Sequence, residues 1–378
     1  MPKIIIVAGG KSFTYRDEPI APSDFTVEEQ IRDRRINAPL GEKLELVDKY
    51  LSKGADYQTA LGVCFPLLDR TVELAARHVY VQAVDADVEY KNKTFKVVPH
   101  KNGAEIDKNK LYAGIYYNLK YSGGGRITAH VRSVTPAVTT ELIRLELFMR
   151  GEYATEYYSS TAARAHNVSL ALEKFDGISI APGESASFNR TVGPRTEENG
   201  FKKAKIIVDG KYTDGVGGGV CQASTALYNA ALLAGLTCSA NAHSICPSYC
   251  PPGLDAMISS VSDLVITNNT DRTVRISACV EGKKATVKIY GQQNEYTVVP
   301  ESVVIKCIRH EQIEQNDTER KYFDADAVSG DRQLVALGKD GYISETYLKY
   351  YKNGELIKRV KIRTNEYIPT PQIIAVAP

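Results

Sequence analysis

The sequence predicts a multidomain α+β protein. Three observations lead to this fold class: apolar residues recur at helical spacing in the first part, later segments alternate as strands, and one strong helix follows a glycine-rich loop. With 378 residues, the chain exceeds what a single ordinary core accommodates. We therefore predict a helical N-terminal segment at residues 1–80, an α+β domain at 81–153, a β-rich domain at 154–295 and a small β module at 296–378.

A change of periodicity separates the first two predicted domains. From Asp24 to Val79, apolar residues such as those of "GEKLELVDKYL" and "TVELAARHV" fall on one helical face. The next stretch, "TFKVVPHKNGAEIDKNKLYAGIYYNL", predicts a strand, a turn at Asn102-Gly103 and a helix capped near Asp107. The strand "RITAHVRSV" and the helix "TTELIRLELFM" complete the α+β pattern.

Hairpins dominate the last two predicted domains. "AKIIVDGKYTDG" predicts a hairpin at Asp209-Gly210, and "RTVRISACVEGKKATVKIYG" predicts another that turns near Glu281-Gly282. The helix at residues 222–234 is the exception in this strand-rich region. In the tail, Asn353-Gly354 predicts a two-residue turn between the alternating strands of "YLKYYKNGELIKRVKI".

Composition excludes several classes of protein. Lys and Arg number 47 against 45 Asp and Glu, without a basic block, so nucleic acid is not an expected partner. The apolar run from Ile4 to Ala8 is too short for a signal-peptide core or a membrane span, so no export signal and no transmembrane segment are predicted. The seven cysteines are an odd, scattered set, unlike a disulfide framework. No cofactor is expected.

Three glycines precede a cysteine at the start of the predicted strong helix. Gly217, Gly218 and Gly219 can adopt special backbone angles and leave N–H groups uncovered for a reacting carbonyl oxygen. Cys221 lies in the first helical turn, where free N–H groups and the helix dipole stabilise a thiolate. This pattern predicts a nucleophile beside an oxyanion site. The alternative is a small structural cysteine at a tight strand-to-helix junction.

A cysteine nucleophile requires a base and a group that orients it. Among the histidines, His243 follows Cys221 most closely, and Asp255 lies after a Pro-Pro-Gly turn, so we predict these two for the roles. A rival interpretation is a zinc site formed by Cys238, His243, Cys246 and Cys250. Their spacing is irregular and lacks a paired Cys-x-x-Cys element, so no metal is predicted.

Several motifs in one order resemble a known family. "RAHN", "PGESASFNRTVGPRTEENGF", "GGGVCQASTALYNAAL" and "HS…PSY…PPGLDA" together resemble the VanW-like family of bacterial cell-envelope proteins, over residues 154–291. Residues 90–150 resemble the peptidoglycan-binding domain that often precedes it, and residues 300–378 are similar to the G-five β module that often follows. Ala186, Cys246 and Cys250 depart from the residues usual in the family, which affects the expected shape of the substrate groove.

The resemblance implies a cysteine-dependent L,D-transpeptidase, an acyl transferase acting on peptidoglycan stem peptides. Cys221 would be the nucleophile and His243 the base, and Arg195 would bind a carboxylate of the stem through a two-pronged contact. Asn189 and Gln222, in the same motifs, are expected to bind substrate. The expected partners are stem peptides and glycan strands, and the expected location is the extracytoplasmic envelope. The alternatives are a non-catalytic peptidoglycan-binding protein linked to glycopeptide resistance and a metal-stabilised scaffold.

Overall fold

The computed structural model describes residues 1–19, 35–208, 211–324 and 326–378. These residues form two compact units: Met1–Asp87 with Val98–Thr140, and Val88–Val97 with Glu141–Pro378. Part of the helical stretch predicted from Asp24, and the turn predicted at Asp209-Gly210, lie outside the described residues.

The secondary structure is mixed throughout the described residues. The helices are α1 (Leu40–Ser52), α2 (Tyr57–Cys64), α3 (Leu68–Val79), α4 (Lys108–Ser122), α5 (Thr140–Leu145), α6 (Ala162–Glu173), α7 (Phe188–Val192) and α8 (Val220–Leu233). The strands up to α8 are β1 (Lys3–Ala8), β2 (Lys11–Arg16), β3 (Asp87–Lys91), β4 (Thr94–Val98), β5 (Gly103–Ile106), β6 (Gly125–Thr128), β7 (Val131–Val134), β8 (Phe148–Glu156), β9 (Ser179–Ile180), β10 (Ser185–Ser187), β11 (Lys203–Val208) and β12 (Lys211–Val216). Those after α8 are β13 (Thr237–Ser239), β14 (Val265–Thr267), β15 (Val274–Glu281), β16 (Lys284–Gly291), β17 (Thr297–Ile308), β18 (Gln312–Asn316), β19 (Arg332–Ala336), β20 (Gly341–Lys352), β21 (Glu355–Tyr367) and β22 (Gln372–Val376).

The first unit begins with a hairpin. Strand β1 pairs antiparallel with β2 and parallel with β6, and its alternate residues Ile4 and Ile6 are fully buried. The segment predicted as helical over residues 1–80 therefore starts with two strands. The apolar run that is too short for a signal core supplies the buried face of β1. The hydrophobic core of this unit extends from β1 to helix α4, and Asp107 caps that helix as predicted.

The second unit is built around helix α8 and a four-stranded sheet in the order β8-β16-β15-β9. Helix α8 is apolar on nearly all sides and buried along most of its length, as expected of a helix inside a core. Gly151 of β8 lets the strand approach closely, because a Cβ there would lie 2.6 Å from the Ala230 carbonyl oxygen. Strand β8 begins at Phe148, so the helix predicted from "TTELIRLELFM" is shorter than expected and ends at Leu145.

The C-terminal strands of the second unit form two three-stranded sheets, β17-β20-β21 and β18-β22-β19. Strands β20 and β21 are joined by the predicted turn, in which Asn353 and Gly354 both have positive φ. Val298 and Leu348 from these strands are buried in the same core as α8. The predicted multidomain α+β fold is thus confirmed. Among the described helices, none combines the length and apolar character needed to cross a membrane.

Candidate active site

Cys221 is the second residue of helix α8 and is half-buried. The helix begins after Gly219, which has a φ of 105° and provides no side-chain cap. The Cys221 thiol lies against the backbone of Ile258, with its Sγ 3.5 Å from the carbonyl oxygen and 3.4 Å from the nitrogen. The strand-to-helix junction therefore fixes the position of the sulfur.

His243 and Asp255 form a buried hydrogen-bonded pair. Asp255 Oδ2 lies 2.6 Å from His243 Nδ1 and 2.7 Å from its backbone nitrogen. Because an ionised carboxylate only accepts hydrogen bonds, Nδ1 carries the proton and Nε2 remains for the thiol. The side chains are 6% and 0% exposed, respectively. The structure thus brings together the three residues predicted from the sequence.

Polar residues of helix α8 hold the segment that carries Asp255. Ser224 donates to the Ala256 carbonyl oxygen at 2.6 Å, and Asn229 donates to that of Leu254 at 2.7 Å. Thr225 accepts from the Ala256 N–H at 3.0 Å. Buried hydroxyl and amide groups require such partners, so these residues have a structural reason to interrupt an apolar helix. The role of these three residues was not predicted from the sequence, although polar residues within an apolar helix were the available signal.

The electrostatics of the three residues favour a thiolate–imidazolium pair. Burial opposes ionisation of Cys221, but the hydrogen bond and positive charge of His243 outweigh it and lower the thiol pKa. Burial also disfavours the imidazolium, yet hydrogen bonds to Asp255 and Cys221 raise the pKa of His243. Asp255 is buried too, and its hydrogen bond with His243 lowers the carboxyl pKa. Such a pair is a ready nucleophile and proton donor.

A cleft of about 620 Å³ opens above Cys221. Three cationic side chains, Arg164, Arg195 and Lys205, contribute to its walls. Gln222 and Tyr249 also line it. Tyr249 was not predicted as a site residue, although it lies in the "PSY" motif that resembles the family. Glu156 also lines the cleft and Lys205 pairs with Asp214, so Arg164 and Arg195 are the cations that favour an anionic group on a ligand.

The three glycines serve close packing more than ligand approach. A Cβ on Gly218 would lie 2.6 Å from the Lys205 carbonyl oxygen, and one on Gly219 would lie 2.8 Å from the Arg164 side chain. Gly217 has a φ of 88° and packs against Arg195. Its N–H donates to the Lys202 carbonyl oxygen at 3.1 Å. The oxyanion role of the three glycines remains a prediction.

Two of the predicted substrate-binding residues have other contacts. Asn189 accepts from Arg195 Nη1 at 2.7 Å, and its amide nitrogen donates to the Ser259 and Ser262 carbonyl oxygens. Its side chain therefore holds Arg195, and direct substrate contact by Asn189 remains a prediction. Gln222 lines the cleft, but its amide nitrogen donates to Thr155 and Glu156.

The structure does not bring the four residues of the rival zinc site together as metal ligands. Across the described residues, no three His, Cys, Asp or Glu side chains are grouped so that they could hold a metal ion. His243 Nδ1 is committed to Asp255, and the Cys238 thiol contacts the carbonyl oxygen of Leu236 at 3.9 Å. Burial raises the pKa of Cys238 to about 12 and that of Cys246 to about 11, which disfavours the thiolates that a metal requires.

Three family models match the chain in sequence order. A putative peptidoglycan binding domain matches residues 42–128, the VanW like protein model matches residues 163–290, and the G5 domain matches residues 309–377. The candidate catalytic residues all lie within the VanW-like match.

Two curated proteins are similar to parts of the chain. The uncharacterized protein YoaR of Bacillus subtilis (strain 168) is 33% identical over 51% of this chain and 65% of its own length. The vancomycin B-type resistance protein VanW of Enterococcus faecalis (strain ATCC 700802 / V583) is 29% identical over 34% of this chain and 50% of its own length. The matches thus cover between half and two thirds of these relatives.

Solved structures of G5 domains are also similar to part of the chain. The IgA1 protease G5 domain is 20% identical with a TM-score of 0.15, covering 22% of this chain and 94% of that one. The HP0197 G5 structure is 16% identical with a TM-score of 0.14, and the match covers 22% of this chain and 99% of that one. From the ordered family matches and the curated relatives, the chain contains a VanW-like segment, with a segment similar to a putative peptidoglycan binding domain before it and one similar to a G5 domain after it.

Proposed function

We propose that this protein is an L,D-transpeptidase-type acyl transferase that uses Cys221 to modify peptidoglycan stem peptides. Its peptidoglycan-binding and G5 domains suggest a cell-wall-associated protein, which fits this substrate. The observation that carries the proposal is the buried His243–Asp255 hydrogen bond beside Cys221 at one cleft, with the thiol pKa lowered by His243. Such an arrangement supports nucleophilic acyl transfer.

In the first step, the Cys221 thiolate attacks the carbonyl carbon of the third stem residue and forms a C–S bond. The carbonyl electrons move onto oxygen and return when the C–N bond to D-alanine breaks. The imidazolium of His243 gives its Nε2 proton to the departing amine. D-alanine leaves, and the stem remains on Cys221 as a thioester.

In the second step, an amine of a neighbouring stem attacks the thioester carbonyl. The now neutral His243 takes the proton that the amine loses, and the C–S bond breaks to restore the thiolate. Asp255 keeps Nδ1 protonated in both steps and stabilises the imidazolium. The products are a new amide cross-link and the starting thiolate–imidazolium pair.

Backbone N–H groups near the nucleophile supply the oxyanion contact in this proposal. Val220 and Gln222 donate to carbonyl oxygens of the loop, at 3.2 and 2.9 Å. In the described part of the chain, no acceptor takes the N–H groups of Gly218, Gly219 and Cys221. These groups lie at the start of α8, where the dipole favours a developing negative charge.

Arg195 is the residue we assign to a carboxylate of the stem peptide. It lines the cleft, and its positive charge acts on Cys221, so it lies near the reacting sulfur. Asn189 holds Nη1 at 2.7 Å and so fixes the orientation of the guanidinium plane. A planar, oriented guanidinium suits a two-pronged carboxylate contact.

The alternative is a non-catalytic peptidoglycan-binding envelope protein. The observation that favours it is the match of residues 42–128 to a putative peptidoglycan binding domain, which requires no chemistry at Cys221. The two functions differ in whether the thiol becomes acylated.

The test incubates the full-length protein with purified disaccharide-tetrapeptide muropeptides. We expect an adduct on the intact chain equal to the mass of the muropeptide minus D-alanine, together with cross-linked muropeptides. Cys221→Ala should form neither, whereas Cys279→Ala, a matched change in strand β15, should form both. Products made by a folded Cys221→Ala variant would refute the proposal, and binding without an adduct in the unmodified protein would leave the alternative.

A further inference from the structure

The C-terminal strands contact the loop that carries two of the catalytic residues. We define the catalytic loop as residues 240–258, which includes His243 and Asp255. Arg363 of β21 donates through Nη2 to the Asp255 carbonyl oxygen at 2.6 Å, and through Nε to that of Gly253 at 2.8 Å. Thr346 of β20 donates to the same Gly253 oxygen at 2.8 Å. The loop backbone is thus held by side chains from the C-terminal sheet.

Tyr367, the last residue of β21, contacts the catalytic carboxylate itself. Its hydroxyl donates to Asp255 Oδ1 at 2.5 Å and accepts from the Gly253 N–H at 2.6 Å. The direction is fixed because the ionised carboxylate cannot donate. Tyr367 is fully buried. Since His243 occupies Oδ2, the two oxygens of Asp255 are held by separate parts of the chain.

We infer that Tyr367 is a positioning residue for the Cys221 reaction, so that the C-terminal β module completes the active site as well as extending the fold. This inference rests on the proposed function for its effect on turnover. The Tyr367 hydrogen bond orients the carboxylate and stabilises its charge. That charge in turn stabilises the His243 imidazolium and, through it, the Cys221 thiolate.

Several other ionisable groups surround Asp255, and their contributions have to be separated from that of Tyr367. Arg363 Nη2 lies 3.7 Å from Oδ1 and favours the charged carboxylate. The remaining groups that interact electrostatically with Asp255 or with its partner His243 are Cys221, Tyr228, Cys246, Tyr249 and Cys250. Removal of the Tyr367 hydroxyl alone leaves all of these in place, so the change removes only its two hydrogen bonds, the one to Asp255 Oδ1 and the one from the Gly253 N–H.

The test compares Tyr367→Phe with Tyr347→Phe in the full-length protein. Tyr347, on neighbouring β20, also donates its hydroxyl to a carboxylate, that of Glu345, and so serves as a matched control. We expect Tyr367→Phe to lower the turnover number about tenfold or more, in line with the loss of one charged hydrogen bond. The Michaelis constant should change little. The pH at which Cys221 becomes alkylated by iodoacetamide should rise by roughly one unit.

These readouts distinguish this inference from the proposed function, because alkylation requires no muropeptide. A shifted alkylation profile in Tyr367→Phe and an unshifted one in Tyr347→Phe would support the inference even if no transpeptidation occurs. An unchanged profile and unchanged turnover in a folded Tyr367→Phe variant would overturn it while leaving the acyl transferase intact. If Tyr367→Phe fails to fold, 3-fluorotyrosine at position 367 gives the decision, because it keeps the hydroxyl but makes it a stronger donor to Asp255 Oδ1. An unmoved His243 Nδ1 proton resonance in that protein would also overturn the inference.

Discussion

At the residue scale, ionisation of Cys221 depends on groups from separate stretches of the chain. His243 acts through a hydrogen bond and its charge, Ile258 through its N–H, and Arg195 through charge alone. Burial of the sulfur opposes all of these contributions. Because the favourable contacts prevail, the thiol pKa is lowered by contacts that the helix start predicted from the sequence does not supply. The imidazole of His243 contributes most among them.

This balance predicts how alkylation of Cys221 depends on pH. The thiolate is the reactive form, and it is present above the thiol pKa and lost as the pH falls through it. Because that pKa is lowered, labelling by iodoacetamide should persist below the ordinary value of ~8.5. Cys238, whose pKa burial raises to about 12, should remain unlabelled near neutral pH. Peptide mass mapping after brief labelling measures both.

Cys221→Ala supplies the background from the other thiols in that measurement. An inflection for Cys221 at or above the ordinary thiol value would show that burial prevails over the His243 contact. It would remove the thiolate–imidazolium pair from the mechanism.

The candidate catalytic residues differ in how far the sequence reveals them. Cys221, His243 and Asp255 could be predicted because they are close in the chain and their residue types are those of a known mechanism. Tyr367 could not, because it lies 112 residues from Asp255 and its role exists only through tertiary contact. Asn189 was assigned to substrate because a motif cannot distinguish a ligand contact from support of Arg195.

At the element scale, close packing holds the glycine loop, residues 217–219, rigidly at the start of helix α8. Gly218 has no room for a Cβ, since the Lys205 carbonyl oxygen would lie 2.6 Å from it. The neighbouring atom belongs to the backbone of β11, which cannot rotate away. The loop that precedes Cys221 is therefore fixed by contact with a strand.

We accordingly expect Gly218→Ala to be destabilising by about 1–3 kcal/mol, as overpacking usually is. It should also slow alkylation of Cys221, because the loop must move to admit the methyl group. Gly41→Ala in helix α1 is the matched control, since no atom lies within 4 Å of the added Cβ. That change should be neutral or slightly stabilising. Scanning calorimetry and alkylation rates test both variants, and equal behaviour would show that the loop is not constrained by β11.

Secondary-structure elements could be predicted where a few neighbouring residues are enough to determine them. The Asn353-Gly354 turn and the Asp107 cap are encoded within a few residues, and both occur as expected. The stretch from Thr139 to Met149 is predicted as a helix because its apolar spacing is helical. Its last two residues instead begin strand β8, because pairing with β16 outweighs local preference there.

At the scale of the whole molecule, the second unit has one core that runs from helix α8 into the C-terminal sheet. Leu348 of β20 and Val298 of β17 are buried in the same cluster as Leu227. Together with the contacts of Arg363 and Tyr367, this continuity links the VanW-like segment to the G5 domain. The two family matches therefore form a single structural unit in this chain.

A single core predicts coupled local unfolding. Leu348 is 6% exposed, and Leu348→Ala should cost about 2–5 kcal/mol because it opens a cavity in that core. Hydrogen exchange should then accelerate in both β20 and α8, although the substitution lies in only one of them. Leu356→Ala on β21 removes the same atoms at a position that is 46% exposed, and it should leave exchange in α8 unchanged. Faster exchange confined to the C-terminal strands in Leu348→Ala would mean that the G5 domain unfolds independently and that its contacts with the catalytic loop are too weak to position Asp255.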